Sequence, residues 1–184
     1  MSYFARVYQT SDDPWGFETS AYEQQKYQHT LAALPKARYR CVFEPGCAIG
    51  VLSELLLTRC DRLIASEPFP RVAERARARL PARPRASVVT AAIPDFWPSE
   101  PCDLVVLSEV LYYLTDEGLR AVHDKLEHTA PGTQLIAVHY RGETDYPQTA
   151  EAVRAFLCAM PSWRALVQHD EPRFFLDVLE RAES

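Results

Sequence analysis

With 184 residues, 47% of them hydrophobic, and a net charge of −5 at pH 7, the chain suits one domain with a sizeable core, and the composition excludes a disordered segment. The acid excess argues against a nucleic-acid partner, which asks for a basic face, and no run of about 18 apolar residues occurs, so no membrane span is expected. Five scattered cysteines (Cys41, Cys47, Cys60, Cys102 and Cys158) without a Cys-x-x-Cys spacing, and no apolar signal core in residues 1–6, point to a reducing cytoplasm.

Residues 1–19 hold Tyr3, Phe4, Tyr8, Trp15 and Phe17 among polar residues, with a turn at Asp12-Asp13-Pro14. So aromatic an arm must pack on something, either as a lid over a site or as a wrap across a sheet edge. Thr19 or Ser20 can cap a helix that runs to about residue 34, with Glu23 as the capping-box partner of Ser20. Its apolar face carries Tyr27, Leu31 and Leu34; its polar face carries Glu23, Gln24, Lys26 and His29. A strand at 40–44, a turn and a helix to about 58 follow, then a strand at 62–67. Pro68 and Pro70 open a helix to residue 80, whose arginines, from Arg71 on towards Arg85, read as a solvated face. A strand at 86–90 leads into a proline-rich loop over 91–102. The continuous apolar run at 103–107 is expected of a central parallel strand buried on both faces. A helix at 116–129, a strand at 134–139, a polar and aromatic loop at 140–147 and a helix at 149–160 complete the alternation. Strands at 163–168 and 173–179 read as an antiparallel pair at the sheet edge. The pattern predicts a single α/β domain, Rossmann-like, mostly parallel with an antiparallel C-terminal edge hairpin and right-handed crossovers.

The organising stretch is Arg40-Cys41-Val42-Phe43-Glu44-Pro45-Gly46-Cys47-Ala48-Ile49-Gly50. Gly46 can take φ > 0 and let a ligand approach the backbone. Gly50 leaves room for the next helix to pack on the sheet. The second strand closes on an acid, Glu67. A strand, a glycine loop, a helix and an acid-tipped second strand form the first half of a nucleoside-binding sheet. The dinucleotide fingerprint fits poorly, since Ala48 and Val51 stand at its second and third glycine positions, and no P-loop lysine is near. The bland alternative is an ordinary βαβ turn with incidental acids. Ligands in such sheets sit beyond the carboxyl ends of the strands, which gathers Glu44, Gly46, Glu67, Ile93, Ser108, Glu109 and His139 around one crevice. The five histidines form no His-x-x-x-His pair and no Cys/His cluster, so no metal site is expected.

The spacing acid-x-Gly-x-x-x-Gly resembles motif I of the class I S-adenosylmethionine methyltransferases. A wider set resembles the NodS-like methyltransferases: Asp13-Pro14-Trp15, Tyr22, Lys26-Tyr27, the motif loop, Cys60-Asp61-Arg62-Leu63, Ser108-Glu109-Val110-Leu111-Tyr112-Tyr113-Leu114 and Thr144-Asp145-Tyr146-Pro147. The resemblance implies S-adenosylmethionine as cofactor, S-adenosylhomocysteine as product, and a small-molecule acceptor. The acceptor would be the amine of an amino sugar or saccharide-like metabolite, as the nodulation members N-methylate the terminal amino sugar of a partly deacetylated chitooligosaccharide. O-methylation of a small metabolite and cofactor binding without turnover are the alternatives.

The cofactor residues it implies are Trp15, Glu44 near the methionine end, Gly46, Cys47, Ala48, Gly50, Glu67 on the ribose, Pro68, Ala92, Ile93 and Ser108. The catalytic candidates are Glu109, as anchor or proton acceptor for an ammonium, His139 as an alternative base, and Tyr112. Tyr22, Tyr113 and Tyr146 are expected to line the acceptor pocket, and residues 1–36 to cover the site; Tyr112 and Tyr113 are adjacent and cannot share one helix face, so one of the two is expected to pack in the core. One departure stands out. Ala92 occupies the position where the family often has an acid for the adenine amino group, leaving Asp95 or a backbone carbonyl to serve.

Overall fold

The computed structural model describes residues 7–8, 10–11, 13–81 and 85–183. Tyr3, Phe4 and Asp12 of the aromatic arm, and residues 82–84 of the proline-rich turn, lie outside the described residues. A seven-stranded sheet runs in the order β3-β2-β1-β4-β5-β7-β6. Its strands are β1 (Tyr39–Pro45), β2 (Cys60–Ser66), β3 (Ala86–Val89), β4 (Leu104–Ser108), β5 (Gln134–Tyr140), β6 (Trp163–Asp170) and β7 (Phe174–Arg181). The first five are parallel; β7 runs antiparallel between β5 and β6. The expected C-terminal hairpin is therefore present, and its second strand turns back to pair with β5 while β6 takes the edge.

From residue 13 on, the helices among the described residues are α1 (Ala21–Ala33), α2 (Val51–Leu56), α3 (Pro70–Arg79), α4 (Asp116–Glu127) and α5 (Ala150–Cys158), with a 3₁₀ turn at Leu111–Tyr113. Consecutive strand residues point to opposite faces, and both faces of the central strands are covered. Val42, Leu104, Val106, Ile136 and Val178 pack with Tyr27, Leu52, Leu56 and Val72 from α1, α2 and α3. Phe43, Val105, Leu107, Leu135 and Ala137 pack with Leu119, Val122, Val153 and Leu157 from α4 and α5. Two buried faces explain why residues 103–107 read as an unbroken apolar run.

Helix α2 stops sooner than the leucine spacing suggests. The Arg59 carbonyl is taken by the Tyr39 N–H at 2.8 Å, which pulls the chain out of the helix and into β2. The Arg59 side chain fastens the end of α1. Its guanidinium donates to the carbonyls of Leu31 (2.8 Å), Ala37 (2.9 Å) and Lys36 (2.7 Å), satisfying C-terminal acceptors a helix cannot satisfy itself.

At the other end of α1, Ser20 is the N-cap and its hydroxyl accepts from the Glu23 N–H. The reciprocal half of the capping box is missing, because the Ser20 N–H goes to Gly16 and the Glu23 side chain to Lys26. The polar face of this helix is not left to solvent: Glu23 and Lys26 are both buried, with Tyr27 and Thr30.

Candidate active site

The carboxyl ends of β1, β2 and β4 and the roof formed by α1 and the segment before it enclose one cavity of ≈ 730 Å³. Of the residues expected at the site, all but Gly50 and His139 line it.

At one end lies the loop after β1. Gly46 has φ +70°, and a Cβ there would fall 2.3 Å from Val110 Cγ1. Gly46→Ala is therefore expected to cost about 2–3 kcal/mol, from left-handed strain plus overpacking. Denaturant unfolding measures it. Gly50 has φ +81°, and its Cβ would meet the Ala76 backbone of α3 at 3.3 Å. Its part is helix packing, which is why it stays off the cavity wall. Arg79 of α3 fixes the same loop by donating to the Ile49 carbonyl at 3.0 Å, so not all of that arginine face is merely solvated.

Glu67 is buried, with Oε2 accepting from the Ala48 N–H and Oε1 from the Phe69 N–H, each at 3.1 Å. Each oxygen retains a lone pair for a ligand hydroxyl. Burial pushes its carboxyl up to about 7, against the two backbone donors. Glu44 accepts from the Ser53 hydroxyl, and burial raises its carboxyl to about 8. Burial also raises the Cys47 thiol, holding it neutral, so it fills space at the loop.

Tyr8, Trp15, Phe17 and Phe69 form an aromatic wall over this end, with Tyr8–Trp15 centroids 5.3 Å apart and Tyr8–Phe69 5.6 Å. Ala92 and Ile93 close the side. Asp95 is exposed and absent from the lining, so the acid thought able to replace the family's adenine partner does not reach in. A nucleoside without phosphate fits this end: apolar walls for a base, a carboxylate with free lone pairs for vicinal hydroxyls, and a second carboxylate for a cationic group. Phosphates would meet Glu44 and Glu67 and no adjoining cation among the described residues.

The other end is built on Glu109, which has φ +58° at the end of β4. Its Oε1 accepts from the Lys26 ammonium at 2.7 Å. Its Oε2 accepts from the Tyr112 hydroxyl and from the Tyr140 N–H at 3.0 Å. Lys26 also contacts Glu23, at 3.0 Å from Oε2 and 3.1 Å from Oε1. Burial would lower the Lys26 ammonium, but Glu109 and Glu23 outweigh it and the net shift is upward. Burial would raise Glu109, and the charge of Lys26 reverses that. Both groups are held ionised. Tyr112, Tyr113 and Tyr146 form a ring cluster with centroids 4.6–5.1 Å apart; the two adjacent tyrosines thus both face the cavity instead of dividing between core and pocket. Tyr22 lies under the Arg173 guanidinium, 3.8 Å from the ring centroid.

His139 lies behind this chamber, 3% exposed. Its Nε2 accepts from the Leu111 N–H at 3.3 Å, and burial depresses its pKa to about 4. It is a neutral, engaged imidazole away from the cavity, which removes the geometry that a base at this position requires. Sequence reasoning missed Glu23 and the depth of Lys26. The signal available was their (i, i+3) pairing beside Tyr22 and Tyr27.

The comparisons with known proteins bear on the family and the fold. A family model for nodulation protein S (NodS) matches residues 5–144. Nodulation protein S of Bradyrhizobium diazoefficiens is 38% identical over 135 residues, which is 72% of this chain and 65% of that protein. The Rhizobium tropici protein of the same name is 34% identical over 129 residues, 68% of this chain and 54% of that one. The chain thus spans less than two thirds of the length of these curated relatives. A Pseudomonas syringae crystal structure, provisionally assigned as a methyltransferase, is 42% identical with a TM-score of 0.77 and covers 88% of this chain and 100% of its own. The N-methyltransferase NodS from Bradyrhizobium japonicum WM9, in complex with S-adenosylhomocysteine, is 26% identical with a TM-score of 0.80, covering 96% and 99%. Since the family model takes in well over half of the 184 residues, the chain belongs to the nodulation protein S family.

Proposed function

We propose that this protein is an S-adenosylmethionine-dependent N-methyltransferase of a small amine, an amino sugar or saccharide-like metabolite. The observation that carries this reading is a single cavity with a nucleoside-type end at Glu44, Gly46 and Glu67 and a charged, tyrosine-lined end at Lys26, Glu109 and Tyr112. The NodS complex with S-adenosylhomocysteine supports it. When bound, the cofactor supplies a methyl group on a cationic sulfur. Glu67 would hold the ribose hydroxyls, Glu44 the amino-acid ammonium, and Trp15, Phe17 and Ile93 the apolar base, with Gly46, Cys47 and Ala48 shaping the loop beneath and Pro68, Ala92 and Ser108 closing around it. Tyr112, Tyr113 and Tyr146 offer flat faces suited to the C–H face of a sugar ring, and Tyr22 and Arg173 flank them. Holding the acceptor in line is the larger part of the task, because alignment replaces a bimolecular encounter. The direct test is incubation with S-adenosylmethionine and a panel of amines and alcohols, with partly deacetylated chitooligosaccharides included. Methylated amine is the expected product; tight S-adenosylhomocysteine binding without any product would favour a binding module.

The buried acids give this reading a pH signature. Free Glu44 and Glu67 hold their protons up to about 8 and about 7, and a cationic ligand beside Glu44 favours its ionised form. Binding at pH 7 should therefore release protons, and affinity should rise with pH until it flattens near 8. Calorimetry of S-adenosylhomocysteine binding in buffers of different ionisation enthalpy measures the release. Stability of the ligand-free protein runs the other way. Both folded-state pKa values lie above the ordinary carboxylate value of 4.5, so the contribution is complete below that value and is lost as pH rises to about 8.

A further inference from the structure

We propose that Glu23 of α1 binds the ammonium of the acceptor and takes its proton, an assignment that rests on the methyltransferase reading of the same cavity.

Two carboxylates, Glu23 and Glu109, flank one ammonium, Lys26. By formal count the triad is one negative charge in excess, with the Arg173 guanidinium over the neighbouring Tyr22 ring as the next cation, and a bound ammonium would balance the count within the triad. Glu109 is fully engaged, with Lys26 on one oxygen and Tyr112 and Tyr140 on the other. Glu23 is not. It is 7% exposed and lines the cavity. Its Oε2 lies 3.0 Å from the Lys26 ammonium but off the hydrogen-bonding direction, and has no hydrogen-bond partner. Beside it in sequence, the Tyr22 hydroxyl is also buried, also lines the cavity and also lacks a hydrogen-bond partner. An acceptor-only carboxylate next to a hydroxyl that can donate or accept is complementary to an amine carrying a neighbouring hydroxyl.

The other proton acceptors expected from the sequence are committed. His139 is away from the cavity and accepts from Leu111, and the Tyr112 hydroxyl donates to Glu109. In the step assigned to Glu23, one N–H bond of the bound ammonium breaks, its electron pair remains on nitrogen as the lone pair, and the proton forms an O–H bond at Oε2. Lys26 stays with Glu109 throughout, so the triad passes from one net negative charge to none.

The test uses protein saturated with S-adenosylhomocysteine and two probes, D-glucosamine and D-glucose, which differ by an ammonium in place of one hydroxyl; binding is followed by ligand-observed NMR. The wild type should prefer glucosamine by about tenfold or more, and Glu23→Gln should bind the two sugars within about twofold of each other. Glu23→Asp should recover part of the preference. A merely structural Glu23 would weaken both sugars alike and leave the preference intact. No preference in the wild type, or a preference that survives Glu23→Gln, overturns the assignment. Should Glu23→Gln not fold, Glu23→Asp carries the test, a reduced preference supporting the assignment and an unchanged one overturning it. Binding of S-adenosylhomocysteine to the wild type is read separately: its loss counts against the cofactor reading, whereas its retention without an ammonium preference counts against Glu23 alone.

Discussion

Lys26→Met is expected to cost about 3–5 kcal/mol of folding stability, because it leaves Glu23 and Glu109 buried side by side with no cation between them. Methionine fills much of the same volume, so the loss is electrostatic and not a cavity effect. It should also be pH-dependent in a defined direction. Without the lysine, burial is no longer offset at Glu109 by the charge that holds it ionised, so its folded-state pKa rises and the deficit grows as pH is raised. Urea unfolding of wild type and variant at pH 5 and pH 8 measures both parts. A deficit under 1 kcal/mol at pH 8 would mean that the triad contributes little to holding α1 on the sheet.

Glu67→Ala is expected to lower S-adenosylhomocysteine affinity by roughly 30- to 700-fold. The estimate takes two ligand hydroxyls, each donating to a charged acceptor, and discounts the pair to about 2–4 kcal/mol for incomplete burial of the hydroxyls. Part of the loss is local, since the Ala48 and Phe69 N–H groups forfeit their acceptor as well. Glu67→Gln separates the two contributions: its amide oxygen can still accept from one backbone donor, so loop order should recover more than ligand affinity. Isothermal titration gives the affinities, and an unchanged value for Glu67→Ala would remove Glu67 from the cofactor site.

Much of this was legible before any coordinates. Strands buried on both faces announce themselves as apolar runs, and the glycine loop is legible because left-handed backbone at Gly46 and Gly50 demands glycine or strain. The place of Glu67 on the cavity wall is legible because an acid that closes a strand beside such a loop lies beyond the carboxyl edge of the sheet. The misreadings share a cause. Glu23 and Lys26 read as part of a polar helix face, which is usually solvated; the contact that lets Lys26 be buried, with Glu109 83 residues away, is not carried by sequence spacing. His139 was placed at the site because it ends a central strand. The neighbouring position on such a strand faces the opposite way, and one step of register decides between cavity wall and interior. Tyr112 and Tyr113 were divided between core and pocket on helical spacing, whereas a single 3₁₀ turn followed by the loop bearing Tyr146 brings both rings to the same chamber.

The fastening of α1 by Arg59 has a consequence for traffic through the chamber. One hydrogen bond from Arg59 to the last turn of that helix, at Leu31, and two to the turn after it, at Lys36 and Ala37, hold its rear beside the start of β2, while its front rests on the Glu23–Lys26–Glu109 contacts and on aromatic packing. The expected route for a nucleoside is therefore beneath Ser20 and Tyr22, at the end that Arg59 does not hold, and hydrogen exchange of the α1 amides with and without S-adenosylhomocysteine measures it.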